Sequence, residues 1–289
     1  MPGLREAAVR SVYRIGWASA SRLPARAVDP LITVAGSVAL AANGPHVQNL
    51  RTNLSAVTGQ PASPALVRAG LRSHLRNFYE VLALPGWSAA RVRESVSTTG
   101  EHRLRAAYAD RGAVVALPHS GNWDLAGAWA CRTGMPVTTV AEQLPEAEFE
   151  AFLSFRRSLG MEVLSHTDPA TLPALVEAAR RRRLVCLVAD RDLLGSGVPV
   201  TWDRHQVRMP AGPALVARRS EAALVPAVCW FTPKGMHISF GEVVDERPGR
   251  SGLQAMTQEV AHFFAQQIAR HPEDWHMLQP FFPRTAEPG

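Results

Sequence analysis

The chain has 289 residues, 46% hydrophobic and 19% charged, a globular composition that excludes a disordered or fibrous protein. Its formal net charge is +6, and Lys234 is the one lysine among 31 basic residues. The positive charge is therefore arginine, which suits phosphate or carboxylate partners and leaves nucleic acid, an anionic membrane and a phosphorylated ligand open.

Three cysteines, Cys131, Cys186 and Cys229, form no CxxC pair, which excludes a disulfide scaffold and suits a reducing, cytoplasmic compartment. No segment has the ~20 apolar residues needed to cross a bilayer; the longest apolar run, 31–42, contains Gly36 and Ser37. Arg5, Arg10 and Arg14 interrupt any apolar core of a secretory signal.

The first ~85 residues read as helices. Residues 4–21 set Leu4, Ala8, Val12, Ile15 and Trp17 beside Arg5, Arg10 and Arg14, with Arg22 just beyond. That is the pattern of a basic amphipathic helix, which either lies on a membrane surface or packs on the body. Asp29-Pro30 predicts the start of a second helix and Ser63-Pro64 of another, each pairing a capping residue with a first-turn proline. From about residue 95, apolar strand-like runs at 113–117, 137–141, 162–164, 184–189, 198–201, 223–230 and 237–240 alternate with helical stretches near 101–110, 123–133, 145–159, 170–182 and 211–220. Residues 251–270 predict a closing helix. The alternation predicts one α/β domain over 1–289, in which a helical N-terminal cap (1–85) precedes a core (95–280). Its sheet is central, mixed and largely parallel, with flanking helices.

The segment Pro118-His119-Ser120-Gly121-Asn122-Trp123-Asp124 carries the strongest chemical signal. A buried strand ends at Leu117, the chain turns, and Asn122 caps a helix with Asp124 in its first turn. His119 falls beyond the carboxyl end of a strand, where α/β sheets bind ligands. The five-residue step lets the Asp124 carboxylate fold back towards the imidazole and fix its tautomer for general-base work. Gly121 and the helix N-terminus offer N–H groups to an oxyanion. Ser120 is given no more than a supporting hydrogen bond.

This segment resembles the His-x4-Asp box of the glycerolipid and lipid A acyltransferase superfamily. Ala189-Asp190-Arg191-Asp192-Leu193, Met209-Pro210-Ala211-Gly212-Pro213 and His271-Pro272-Glu273-Asp274-Trp275-His276 resemble its further motifs. Tyr13-Arg14-Ile15-Gly16-Trp17 and Leu50-Arg51-Thr52-Asn53-Leu54 are similar to the branch of actinobacterial phosphatidylinositol mannoside acyltransferases. The resemblance implies transfer of a long, palmitoyl-like acyl chain from acyl-CoA to a sugar hydroxyl of a mannoside glycolipid. His119 would be the general base, acting without a covalent acyl-enzyme, a cofactor or a metal. It also implies an acidic partner for His119 after a later strand, at Asp192 or else Asp190, with Arg191 between them. A glutamate, Glu142, would pair with an arginine ahead of a Leu-Gly turn, Arg156 or Arg157. Asn122 and Trp123 complete the substrate-side residues. Relatives place two aromatics and a glycine where this chain has Thr201-Trp202-Asp203-Arg204-His205. That departure bears on acyl length or acceptor, and makes His205 either a second titrating group or an exposed hairpin histidine.

Arg180–Arg183 end a helix as a four-arginine run that suits the helix dipole or anionic headgroups. His262, His271 and His276 lack the close pairing of zinc ligands. The expected partners are acyl-CoA, the glycolipid and an anionic membrane surface, with peripheral location on the cytoplasmic face and no nucleic acid. Rival functions are acylation of a lysophospholipid or another glycolipid, an acyl-CoA thioesterase, and a non-enzymatic arginine-rich binding module whose affinity would fall steeply with salt.

Overall fold

The computed structural model describes residues 25–142, 153–193 and 195–282. The predicted helix over 4–21 and the first part of the one over 145–159 lie outside the described residues. The rest of the latter is helical over 153–158.

Seven strands form the central sheet: β1 (Val96–Thr99), β2 (Ala113–Leu117), β3 (Val137–Ala141), β4 (Glu162–Ser165), β5 (Leu184–Val188), β8 (Ala223–Thr232) and β9 (Gly235–Phe240), in the order β1-β9-β8-β2-β5-β3-β4. Only β8 and β9 pair antiparallel, through a tight hairpin; the other neighbours are parallel. The fold is therefore α/β with a mixed, largely parallel sheet. Helical connections cover both faces, which is why the central strands read as unbroken apolar runs.

Side-chain alternation divides the core into two layers. Along β2, Val114 and Ala116 point into one layer with Leu175, Val216, Val260, Phe264 and Ile268 from the helices Thr171–Arg180, Gly212–Ser220 and Gly249–Arg270. Ala113, Val115 and Leu117 point into the other, against Leu104 of Glu101–Arg111 and Leu125, Ala128 and Trp129 of Trp123–Arg132. A third, smaller cluster joins the N-terminal helices: Val47, Leu50 and Leu54 of Pro45–Thr58 meet Val67 and Leu71 of Pro64–Ala83.

The Ser63-Pro64 start holds, with Ser63 Oγ accepting the Leu66 N–H at 3.2 Å. The Asp29-Pro30 start is corrected. That helix runs Ala25–Ala42 with Pro30 inside it, because a proline one turn in forfeits a single backbone bond while good helix formers precede it. The helix Ala89–Glu94 and the strands β1 and β7 (His205–Met209) have no sequence signal assigned above, and the helix Pro45–Thr58 lies within the stretch read as helical without bounds of its own. β7 pairs antiparallel with β6 (Val198–Trp202) in a separate two-stranded hairpin.

The turn after β2 lies directly on β8. Gly121 has φ +56°, and a Cβ there would sit 2.9 Å from the Cys229 carbonyl carbon and 2.9 Å from its Cβ. Left-handed backbone and close approach together require glycine. Gly121→Ala is expected to lower stability by about 1–3 kcal/mol. An unchanged urea midpoint would show that the turn has room that the contact with Cys229 denies.

Candidate active site

β2 and β5 are parallel neighbours with Leu117 opposite Val188, and the Ala189 N–H continues the ladder to the Leu117 carbonyl at 2.8 Å. Two residues beyond each end of this register stand His119 and Asp190. The Asp190 carboxylate is fully buried. Its Oδ1 lies 2.6 Å from His119 Nδ1, and its Oδ2 accepts the His119 backbone N–H at 2.9 Å and the Trp275 Nε1–H at 3.0 Å. Burial alone would raise the carboxyl pKa. The adjacent His119 and the three hydrogen bonds outweigh it, holding Asp190 below the usual carboxylate range. An ionised carboxylate only accepts, so Nδ1 carries the proton and the lone pair of the neutral ring is on Nε2.

The partner of His119 is thus Asp190 and not Asp192. The Asp192 carboxylate accepts the Gly197 N–H at 2.9 Å and lies 3.7 Å from Arg208, so it builds the turn into β6. Asp124 does not fold back to the imidazole either. Asn122 caps the helix, its Oδ1 accepting the Leu125 N–H at 2.9 Å. This leaves Asp124 facing inward, where Arg156 grips it through Nε at 2.6 Å and Nη2 at 3.3 Å. Both are buried. A fork of this kind fixes orientation as well as charge, and stranding either partner costs about 3–5 kcal/mol.

That pairing also corrects the one expected for Glu142. β3 neighbours β5, so Glu142 at the end of β3 meets Arg191, at 3.6 Å. Arg156 belongs to Asp124, and Arg157 is exposed. The Gly121 N–H donates to the Asp274 carbonyl at 2.9 Å, so it is not an oxyanion donor. Ser120 is buried and accepts the Cys229 N–H at 3.4 Å, a supporting contact in the turn. Asn122 also donates to Glu80 Oε2 at 3.2 Å, which ties the helix Pro64–Ala83 to the site.

His205 sits at the end of the β6–β7 hairpin but is neither exposed nor at the site. It is half-buried with its ring 4.7 Å from that of Phe282. Trp202 beside it is buried and stacks on Trp275. The departure at Thr201–His205 therefore alters packing behind the site.

His119 opens on a cavity of about 270 Å³ shared with Trp123, Arg191, His46, His74 and His276. Trp123 meets the His119 ring edge-to-face at 5.2 Å. It also borders a narrow apolar crevice of about 50 Å³ between the helix Trp123–Arg132 and the sheet, lined by Leu117, Val140, Met161 and Val188. His74 and His276 were not singled out as site residues from sequence. The His271–His276 motif is the signal that pointed to one of them. The Ser73 hydroxyl donates to Asp274 at 2.5 Å and lies 2.9 Å from His276 Nε2. Burial, then the neighbouring His74 and His119, push His276 well below the ordinary imidazole range. Burial and His46 push His74 down to about 4.

A base with its lone pair turned to a cavity, an anionic residue behind it and an apolar crevice alongside can deprotonate a hydroxyl next to a fatty chain. Comparison with known proteins points to acyl transfer. Residues 4–284 match the family described as bacterial lipid A biosynthesis acyltransferase. A phosphatidylinositol mannoside acyltransferase of Mycolicibacterium smegmatis is 40% identical over 275 residues, covering 93% of this chain and 89% of that one. One of Mycobacterium tuberculosis is 40% identical over 277 residues, covering 93% and 86%. With a match across nearly its whole length, the chain belongs to the bacterial lipid A biosynthesis acyltransferase family.

Proposed function

We propose that this acyltransferase moves a long fatty acyl chain from acyl-CoA to a sugar hydroxyl of a phosphatidylinositol mannoside. The observation that carries the reading is the His119–Asp190 pair at the cavity, with Nε2 turned away from the carboxylate. Nε2 takes the hydroxyl proton as the oxygen attacks the thioester carbonyl, and Asp190 stabilises the imidazolium that forms. The tetrahedral intermediate then expels the CoA thiolate, which recovers the proton from His119. The ester and free CoA leave, and no external acid or base is consumed.

The apolar crevice beside Trp123 supports placement of the acyl chain there. Its volume admits a long chain only if the lining moves, and Met161 is an unbranched side chain suited to yield. The mannoside acceptor is supported by the names of the 40% identical relatives.

Peripheral attachment to the cytoplasmic face of an anionic membrane is part of the same reading. Leu31, Val34 and Val38 are 66%, 62% and 64% exposed. Their i, i+3, i+7 spacing places them on one face of the helix Ala25–Ala42. Phe78, also exposed, packs edge-on against His74 at 4.9 Å, and His74 lines the His119 cavity. Phe78 thus places exposed apolar surface beside the cavity, which suits a lipid acceptor. No single described helix is long and apolar enough to span a bilayer; residues 27–42 and 45–58 pass only as a pair bent by 93°.

Mass spectrometry after incubation with palmitoyl-CoA and mannosylated phosphatidylinositol should show an acylated mannoside. Fatty acid released equally fast without acceptor would identify a thioesterase, and product only with lysophospholipid would move the acceptor. His119→Ala should lower turnover about 10²–10⁴-fold with acyl-CoA binding kept. Asp190→Asn should follow it, whereas Asp192→Asn should lower turnover much less; the reverse order would make Asp192 the working acid. Replacing Leu31, Val34 and Val38 together by serine should reduce sedimentation with anionic vesicles, and undiminished sedimentation would take the membrane contact off this helix.

A further inference from the structure

Residues 274–276 are laid along the His119 turn. The Asp274 carbonyl accepts the Gly121 N–H at 2.9 Å, and the His276 N–H donates to the His119 carbonyl at 2.8 Å. Between them Trp275 bridges Ser120 in antiparallel fashion. The indole points the other way, to the acid behind the base, where Nε1–H donates to Asp190 Oδ2 at 3.0 Å.

Of the three hydrogen bonds that Asp190 accepts, two come from His119 itself, through Nδ1 and the backbone N–H. Those two hold acid to base, and neither ties the Asp190 carboxylate to any other part of the fold. The third comes from Trp275, a fully buried ring stacked on Trp202 with centroids 5.6 Å apart and planes 18° from parallel. Phe281 packs against it edge-on at 5.0 Å. A ring gripped on its face and edge has one orientation, and the N–H is its only polar atom.

We infer that Trp275 is a positioning residue for acyl transfer, whose indole N–H anchors Asp190 Oδ2 and so sets the plane in which the carboxylate meets His119. The inference rests on the acyltransferase reading above and extends it to a residue that touches no substrate. Its consequence is electrostatic as well as geometric. The indole draws charge from the carboxylate, so without it the His119–Asp190 pair binds a proton more tightly. Arg191, His46, His74 and His276 also line the cavity, and they are common to wild type and variant. A difference between the two pH profiles therefore reports on the dyad.

The test replaces Trp275 by phenylalanine and, separately, by benzothienylalanine, in which sulfur takes the place of the indole N–H and the stack on Trp202 is kept. The second variant decides the matter if the first fails to fold. Two readouts are needed. One is kcat and KM against pH with palmitoyl-CoA and the mannoside acceptor. The other is the far-downfield proton resonance of His119 Nδ1–H in the full chain without substrates.

Loss of the bond should lower kcat roughly tenfold while KM for the acyl donor stays within about twofold. The acidic limb of the profile should move to higher pH, and the downfield proton should shift. A sulfur variant with unmoved limb and unmoved proton overturns the inference, whether or not its rate has dropped, because a packing role changes neither. Should wild-type protein acylate no acceptor, the functional reading fails by itself, while the proton resonance still decides what Trp275 does.

Discussion

A carboxylate removed from water governs the site. Taking Asp190 out of solvent carries a penalty of several kcal/mol, and the three hydrogen bonds that offset it come from His119 and Trp275. Because the acid stays ionised, it admits only donors, and this settles which nitrogen of His119 faces the cavity. The arrangement in turn depends on strand register. His119 and Asp190 are each two residues past a matched pair on parallel neighbours. A slip of one residue between β2 and β5 would send the carboxylate to the opposite face of the sheet.

The same turn gathers contacts from both ends of the chain. From the N-terminal side, Asn122 is held by Glu80, which Arg76 pairs with at 2.7 Å. From the C-terminal side, Asp274 is anchored by the Ser73 hydroxyl and by the Phe231 N–H at 2.8 Å. Asn53 donates to the Met277 and Gln279 carbonyls at 2.8 and 2.7 Å, so the helices Pro45–Thr58 and Pro64–Ala83 grip the strap that crosses the His119 loop. Their small apolar cluster would make a weak unit by itself. These polar tethers make the N-terminal helices part of the site's frame.

Local features of the site were legible in the sequence because local rules decide them. The β2 run, the glycine turn, the Asn122 cap and the helix after it follow from apolar continuity and capping chemistry, and they delivered His119 to the sheet edge. What was misassigned depends on which strands are neighbours. Asp190 and Asp192 are both plausible after an apolar strand, and only the pairing of Leu117 with Val188 chooses between them. Glu142 and Arg156 look like partners in sequence, yet the order β2-β5-β3 delivers Glu142 to Arg191. The inward turn of the helix then leaves Arg156 for Asp124. β1 was missed for a related reason. Val96–Thr99 is short and half-exposed, and it becomes a strand by pairing with β9.

The four imidazoles around the cavity pose a further constraint on catalysis. A second cation beside His119 would oppose its protonation and so weaken the base proposed above. Burial prevents this by keeping His74 and His276 neutral at neutral pH. The Ser73 hydroxyl, its hydrogen committed to the Asp274 carboxylate, accepts a hydrogen bond from His276 Nε2–H, and Nδ1 of that ring is buried without a partner among the described residues. Burial raises the Asp274 pKa to about 6, against the hydrogen bonds from Ser73 and Phe231, so the carboxylate is still largely ionised at pH 7. His74 and His276 thus line the cavity without adding charge to it. Arg191, the cation that does line this cavity, already lies against Glu142, whose carboxylate offsets its charge.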